Sequence, residues 1–253
     1  MLEVQADGPI LRLSLARPAA RNSLDEELIQ SLLDQFVRVS PHVRVVVLTG
    51  QGSAFCAGGD LGWMRRGAAA SEEENRRDAL QLALLLDAIA SCPAAVIARV
   101  NGACFGGGCG LAAAADIAVA SEEALFAFSE VRLGLVPATI SPHVFRKIGR
   151  GHARALFVTG EAFTSRKAYE VGLIHEVSAA ENLDTAVASK IGWILKAGPE
   201  AIASVKSMVR EPELSLEEAA RLLAATRAGR EAQEGISAFL ERRKASYVVE
   251  EFS

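Results

Sequence analysis

Apolar and polar positions alternate from Val4 to Leu15, with an interruption at Asp7-Gly8-Pro9, which predicts a strand or hairpin. After the turn-rich segment Arg17 to Asn22, Ser23 with Glu26 reads as a capping box. The helix it opens carries Leu28, Leu32, Leu33 and Phe36 on its apolar face and ends at Pro41. Val43 to Thr49 is a nearly continuous β-branched run, the pattern of a strand buried on both faces. Helical periodicity returns from Glu72 to Ala90 through Leu80, Leu84, Leu85 and Ile89, and stops before Pro93. Ala94 to Val100 is a second buried strand, followed by a glycine-rich loop and a small-residue helix to about Ala115. Short strands then follow at Ile117 to Ala120 and Leu125 to Phe128. Beyond Pro142 the signal is helical: Val144 to Ile148, Gly151 to Val158, Ser165 to Val171, Asn182 to Ala197, Glu200 to Val209 and Leu216 to Ser246. Strand–helix alternation giving way to helix alone predicts an α/β core, residues 1–197, with a helical extension, residues 198–253.

Composition narrows the function classes. A chain of 253 residues buries about 70–75% of its unfolded surface, so it needs no disulfide or metal to hold together. The net charge of −4 and the 6% aromatic content argue against nucleic-acid binding, which depends on clustered cations and stacking rings. No apolar run reaches the length of a membrane span, and Met1 to Leu15 lacks the basic start and apolar core of a signal peptide. A cytoplasmic protein with no membrane partner is expected. Cys56, Cys92, Cys104 and Cys109 form no C-x-x-C pair and sit among small apolar residues. They read as buried free thiols in a reducing compartment, with no metal site expected.

Two glycine clusters each follow a buried strand: Phe55-Cys56-Ala57-Gly58-Gly59-Asp60-Leu61, and Asn101-Gly102-Ala103-Cys104-Phe105-Gly106-Gly107-Gly108. Glycine lets a ligand approach the backbone, and amides at a helix start attract negative charge. Two such loops meeting from adjacent strands would supply the two donors of an oxyanion hole. Taken singly, each cluster fits a tight turn with close helix packing better than a ligand site. Gly108-Cys109-Gly110-Leu111-Ala112-Ala113, with Glu130 twenty residues beyond Gly110, also matches a loose dinucleotide fingerprint. The preceding strand ends too early for that motif's tight turn, which leaves the nicotinamide reading a distant second.

These two segments, with Asp116 to Ala120, Phe126-Ala-Phe-Ser-Glu-Val-Arg-Leu-Gly-Leu-Val-Pro137, Thr159-Gly-Glu-Ala-Phe163, Ala168 to Val177 and Glu234 to Arg243, resemble the enoyl-CoA hydratase/isomerase (crotonase) superfamily over essentially the whole chain. The resemblance implies a spiral of ββα units over residues 1–197. Residues 198–253 would then be a helical C-terminal region that builds homotrimers, often stacked as hexamers. It also implies an acyl-CoA thioester substrate, with no separate cofactor because coenzyme A is part of that substrate. By motif match the thioester oxygen would sit on the N–H groups of Ala57 and Gly107. Ala57, Gly58, Gly59 and Asp60 would border the pantetheine, and Arg242 would approach the adenine end; Arg242 equally fits an ordinary solvated charge.

Two-carboxylate hydratases of this family place one glutamate after the triple glycine and a second on the following segment. The second is present here as Glu130; the first position is Gly110. Glu130, flanked by Phe126, Phe128 and Val131, is therefore the catalytic candidate, a carboxyl whose proton affinity an apolar pocket would tune. One carboxylate permits hydration with Glu130 activating water, and equally double-bond isomerisation or decarboxylation with protonation of the enolate. A non-catalytic acyl-CoA-binding scaffold is the further alternative. His143 is a candidate for orienting water or meeting a polar acyl tail, although an isolated histidine is more often structural. Gly-Leu after the triple glycine, Ser129 to Ala138, Ile140-Ser-Pro142 and the Glu234 to Arg243 tail are similar to bacterial methylglutaconyl-CoA hydratases of leucine breakdown. They are also similar to related branched glutaconyl-CoA hydratases of acyclic terpene breakdown. Such substrates carry a second carboxylate, for which Arg65, Arg66, Arg132 and Arg146 are candidate partners.

Overall fold

The computed structural model describes residues 1–210 and 213–250. Its N-terminal hairpin is β1 (Leu2–Asp7) and β2 (Ile10–Leu15), paired antiparallel around Gly8, whose φ of 52° only glycine adopts without strain. The chain then runs through α1 (Glu26–Val37), β3 (Val45–Gly50), β4 (Ala54–Cys56), α2 (Leu61–Ala69), α3 (Glu72–Ser91), β5 (Ala95–Val100), β6 (Ala103–Phe105) and α4 (Gly107–Ala114). Next come β7 (Ile117–Ser121), β8 (Leu125–Ala127), α5 (Ser141–Thr159), β9 (Ala162–Thr164), α6 (Ser165–Glu170), β10 (Glu176–Ser178) and α7 (Leu183–Leu195). The last helices are α8 (Pro199–Arg210), α9 (Leu216–Ala228) and α10 (Arg230–Leu240).

Three consecutive β-β-α turns lay one strand in each of two sheets. The larger sheet has the order β1-β2-β3-β5-β7-β10, parallel from β2 onward, and the smaller has the order β4-β6-β8-β9. This is the expected spiral. The β-branched run in β3 explains why it is covered twice. Val46 and Leu48 face the main core with α1, α3 and α4, while Val45 and Val47 pack with Leu183, Val187 and Ile191 of α7. Since β4 and β6 are parallel neighbours, the loops leaving them emerge side by side at one end of the small sheet. That juxtaposition positions the site.

Local details differ from the sequence pattern for identifiable reasons. The cap of α1 is Asp25, which accepts from Leu28 N at 2.9 Å; Ser23 instead donates its hydroxyl to Asp60. The buried face of α3 is Leu82, Leu85, Leu86 and Ile89, whereas Leu80 and Leu84 are half exposed. A true capping box, Ser71 with Glu74, starts that helix. The two helices expected after Pro142 are one, α5, kinked at Gly149, and Gly229 splits the last long one into α9 and α10. The C-terminal segment folds back on the core, with Val249 N bonding Leu195 O and Arg44 bonding Tyr247 O. Residues 211–212 and 251–253 of the expected helical region lie outside the described residues. All four cysteines are buried free thiols. No helix among the described residues is long and apolar enough to cross a membrane.

Candidate active site

The two glycine clusters converge at the ends of β4 and β6. Gly58 has a φ of 94°, and a Cβ added to it would lie 3.2 Å from Phe105 O; the corresponding atom on Gly106, φ 48°, would lie 3.9 Å from Gly58 Cα. Positive φ and backbone-to-backbone approach make both glycines obligatory. The same added atom on Gly106 would lie 3.2 Å from Glu130 Oε1. Both loops and the carboxylate thus meet at one point.

Gly107 opens α4, which has no side-chain cap. Its amide belongs to the first turn, whose N–H groups lack intrahelical acceptors, and it lies at the positive end of the helix dipole. On the other loop the expected donor already has an acceptor within the protein. The Ala57 N–H is engaged, donating to Arg21 O at 3.0 Å. Gly58 O and Asp60 N both bond Leu24, at 2.7 and 2.8 Å. Backbone alternation therefore turns the Gly59 N–H to the opposite side. Gly59, two residues beyond Ala57, is the open amide.

Glu130 lies in a 3-10 turn, Ser129–Leu133, directly after the aromatic strand end. Phe126 and Phe128 beside it are fully buried, while Val131 is partly exposed. Among the described residues Glu130 Oε2 is the buried side-chain oxygen with no hydrogen-bond partner. Burial pushes its carboxyl above the ordinary 4.5, opposed only in part by its own backbone N–H. An orphaned buried oxygen on a desolvated carboxyl is costly for a structural role and suits one that exchanges protons with a bound molecule.

Gly110 explains the absent acid. A Cβ there would lie 2.5 Å from Ile140 Cγ2 and 3.4 Å from Leu86 Cδ1. The space of a residue-110 side chain is filled by Ile140, itself 1% exposed, so the position is packed with hydrocarbon. Gly108 and Gly110 both lie inside α4, and a Cβ on Gly108 would meet Cys56 O at 2.4 Å. These glycines serve helix packing, which removes the basis of the dinucleotide reading.

The remaining candidates are dispersed. Asp60 caps α2, accepting from Gly62 N and Trp63 N, and its other oxygen pairs with Arg17 at 3.1 Å. These bonds, led by that from Trp63 N, hold its carboxyl below the usual range and commit it to shaping the loop. Arg242 is exposed just after α10 and is not among the atoms nearest the site glycines. Arg65, Arg66, Arg132 and Arg146 are all exposed; Arg66 approaches Glu26 at 3.9 Å. His143 is buried but lines an apolar cavity with Ile202 and Val205 of α8. Sequence reasoning placed Gly59 beside the pantetheine without giving it a donor role, and it missed the packing of Leu86 and Ile140 against Gly110. Gly59 was legible as the extended residue after a positive-φ glycine, whereas the Ile140 contact spans thirty positions and carries no local signal.

The model of the enoyl-CoA hydratase/isomerase family matches residues 5–249. An enoyl-CoA hydratase from Shewanella pealeana superposes with a TM-score of 0.92 at 36% identity, covering 97% of this chain and 95% of that one. Pseudomonas aeruginosa AtuE superposes with a TM-score of 0.93 at 34% identity, covering 98% and 99%. The 2,3-dehydroadipyl-CoA hydratase of Escherichia coli is 32% identical over 92% of this chain and 93% of its own.

Proposed function

Because the chain belongs to the enoyl-CoA hydratase/isomerase (crotonase) family, we propose that it hydrates an α,β-unsaturated acyl-CoA with Glu130 as its single carboxylate. The observation that carries this reading is the unpartnered, buried Glu130 Oε2 at the convergence of the two glycine loops. Glu130 takes a proton from water as the water oxygen bonds Cβ. The double-bond electrons move onto the thioester oxygen, and Glu130 returns the proton to Cα as the enolate collapses. The N–H groups of Gly107 and Gly59 hold the enolate oxygen, each donor contributing about 3–4 kcal/mol in comparable oxyanion holes. Protein amides bear the developing charge, and coenzyme A enters as part of the substrate.

Ile140 occupies the volume at which related hydratases carry a second acid, so water is held by Glu130 and by whatever the acyl chain provides. This favours a substrate that contributes polar groups of its own. We assign a branched, carboxylated enoyl-CoA of the 3-methylglutaconyl type, as in leucine breakdown; the carboxylated substrate in the name of the Escherichia coli relative supports that class. The same packing supports a second reading, double-bond isomerisation, in which a lone carboxylate carries a proton between two carbons. Exposed Leu216 and Leu223 of α9 and Phe239 and Leu240 of α10 support assembly into trimers or hexamers. Arg242 is assigned to the adenine end of coenzyme A in that assembly. The buried free thiols fit the cytoplasm.

The test is mass-resolved turnover of crotonyl-CoA and 3-methylglutaconyl-CoA by the wild type and Glu130→Gln. Gain of one water on the branched substrate, abolished by the substitution, is expected. Positional isomerisation with no mass change would move the assignment to the second reading, and no reaction at all would leave an acyl-CoA-binding scaffold.

A further inference from the structure

The opposite end of α4 meets a different set of groups. Ala113 to Ala115 lie roughly 9–12 Å along the helix axis from Gly107, at 1.5 Å per residue. They border a cavity of about 760 Å³ whose other walls include Ile117, Ile194, Ile202, Val205 and Val209. Lys147 and His175 stand on its lining.

The hydrogen bonds there fix where protons sit. The Ala118 N–H donates to His175 Nδ1 at 2.9 Å, so Nδ1 keeps its lone pair and the neutral ring carries its proton on Nε2. Nε2 lies 3.4 Å from Lys147 Nζ. An N–H facing an ammonium group is repulsive; the contact is a hydrogen bond only when Nζ offers a lone pair, as a free amine. Lys147 Nζ in turn donates to the Asp116 carbonyl at 3.0 Å. Of the Asp116 carboxylate, the nearby counter-charge, Oδ2 is taken by Lys206 Nζ at 2.5 Å and Val96 N at 2.7 Å, and its charge offsets the effect of burial on Lys147 only in part. Burial accordingly pulls Lys147 down to about 8 and His175 to about 4.

We propose that Lys147 is a nucleophilic amine, acylated at Nζ by acyl thioesters whose chains lie in the adjoining apolar cavity. Nζ swings its lone pair from the His175 Nε2–H to the thioester carbonyl carbon, the N–C bond forms and the C–S bond breaks. The thiolate leaves and takes up the proton released from nitrogen, giving an amide on Lys147 and a free thiol. Nothing is oxidised or reduced. This reaction uses neither Glu130 nor the glycine loops, so it stands apart from the hydration reading.

The other lysines provide internal comparison. Lys167 and Lys196 are exposed, and Lys190 and Lys206 are paired with carboxylates. An amine titrating near 8 has a free-base fraction on the order of a hundredfold larger at neutral pH than an ordinary lysine, offset by the weaker nucleophilicity of a less basic nitrogen. The native protein is incubated with the octanoyl thioester of N-acetylcysteamine, which has no double bond to hydrate and no coenzyme A. Labelling is then followed by peptide-mapping mass spectrometry across pH. Lys147 is expected to label about tenfold or more faster than Lys167 and Lys196 at about pH 7.5, with its rate levelling above about pH 8. The acetyl thioester is expected to lose most of that advantage, because the cavity recognises the chain. Labelling of Lys147 no faster than of Lys167, a rate that climbs with pH in step with Lys167, or equal labelling by acetyl and octanoyl would overturn the proposal.

Discussion

Replacing Gly110 by alanine places a methyl group 2.5 Å from Ile140 Cγ2 and 3.1 Å from Ile140 Cβ, well inside contact distance, in a helix where Gly110 is fully enclosed. Overpacking of a close-fitted core costs about 1–3 kcal/mol, and removing a helical glycine returns about 1 kcal/mol, so Gly110→Ala should cost about 0–2 kcal/mol. Ile140→Ala alone empties a fully buried site and should cost about 2–5 kcal/mol. Combined, the two changes relieve the clash and refill part of the cavity, so the double variant should be about 1–3 kcal/mol more stable than the sum of the singles. Urea unfolding of all four proteins at one fixed concentration measures this coupling, since any subunit association adds a concentration term. Costs that add to within about 0.5 kcal/mol would show that the two side-chain positions do not share space, and would refute the reasoning. By the same geometry Gly110→Glu alone should lose stability without supplying a second working acid.

Gly107→Pro deletes one candidate oxyanion donor; because a Cβ there would lie 2.8 Å from Leu24 Cδ1, it is made together with Leu24→Ala, whose own turnover is the reference. Turnover should fall about 10²–10³-fold with the fold intact by circular dichroism, and undiminished kcat would remove Gly107 from the mechanism. Asp60→Ala removes the α2 cap and the Arg17 pair; a loss of about 1–2 kcal/mol in unfolding, read by denaturant titration, is expected. Glu130 must be ionised to take a proton from water, and burial raises its pKa. The acid limb of kcat/KM should therefore lie above 4.5, with activity lost as pH falls through it. The sign for stability is the reverse: with a raised folded pKa, the protonated form favours folding at low pH. That contribution is lost as pH rises through the folded value, and Glu130→Gln should flatten the acid-side stability profile.

Much of the fold was legible because it rests on patterns of short range. The unbroken Val45–Leu48 run required a strand covered on both faces, and the glycines after β4 and β6 marked where backbone had to approach backbone. The errors arose where tertiary geometry chose among equivalent local options. Ser23 and Asp25 can both cap a helix, and the contact of Ser23 with Asp60 left the cap to Asp25. Leu80 and Leu84 share a helical period with Leu82 and Leu86, and only the position of α1 and α4 decides which pair is buried. The Arg21 carbonyl, 36 positions away, takes the Ala57 amide, which is why Gly59 rather than Ala57 is the donor proposed. Gly110 read as a missing acid in sequence; in the structure it is the socket for Ile140.

The central claim is that one buried carboxylate, Glu130, moves the proton at Cα. It is tested most directly by running the reaction in deuterium oxide and locating deuterium in the product and in recovered substrate. The account predicts one deuterium at Cα of the hydrated product from the wild type, and none from Glu130→Gln under conditions where that variant still binds the acyl-CoA. Deuterium delivered to Cα at the wild-type rate by Glu130→Gln would contradict it.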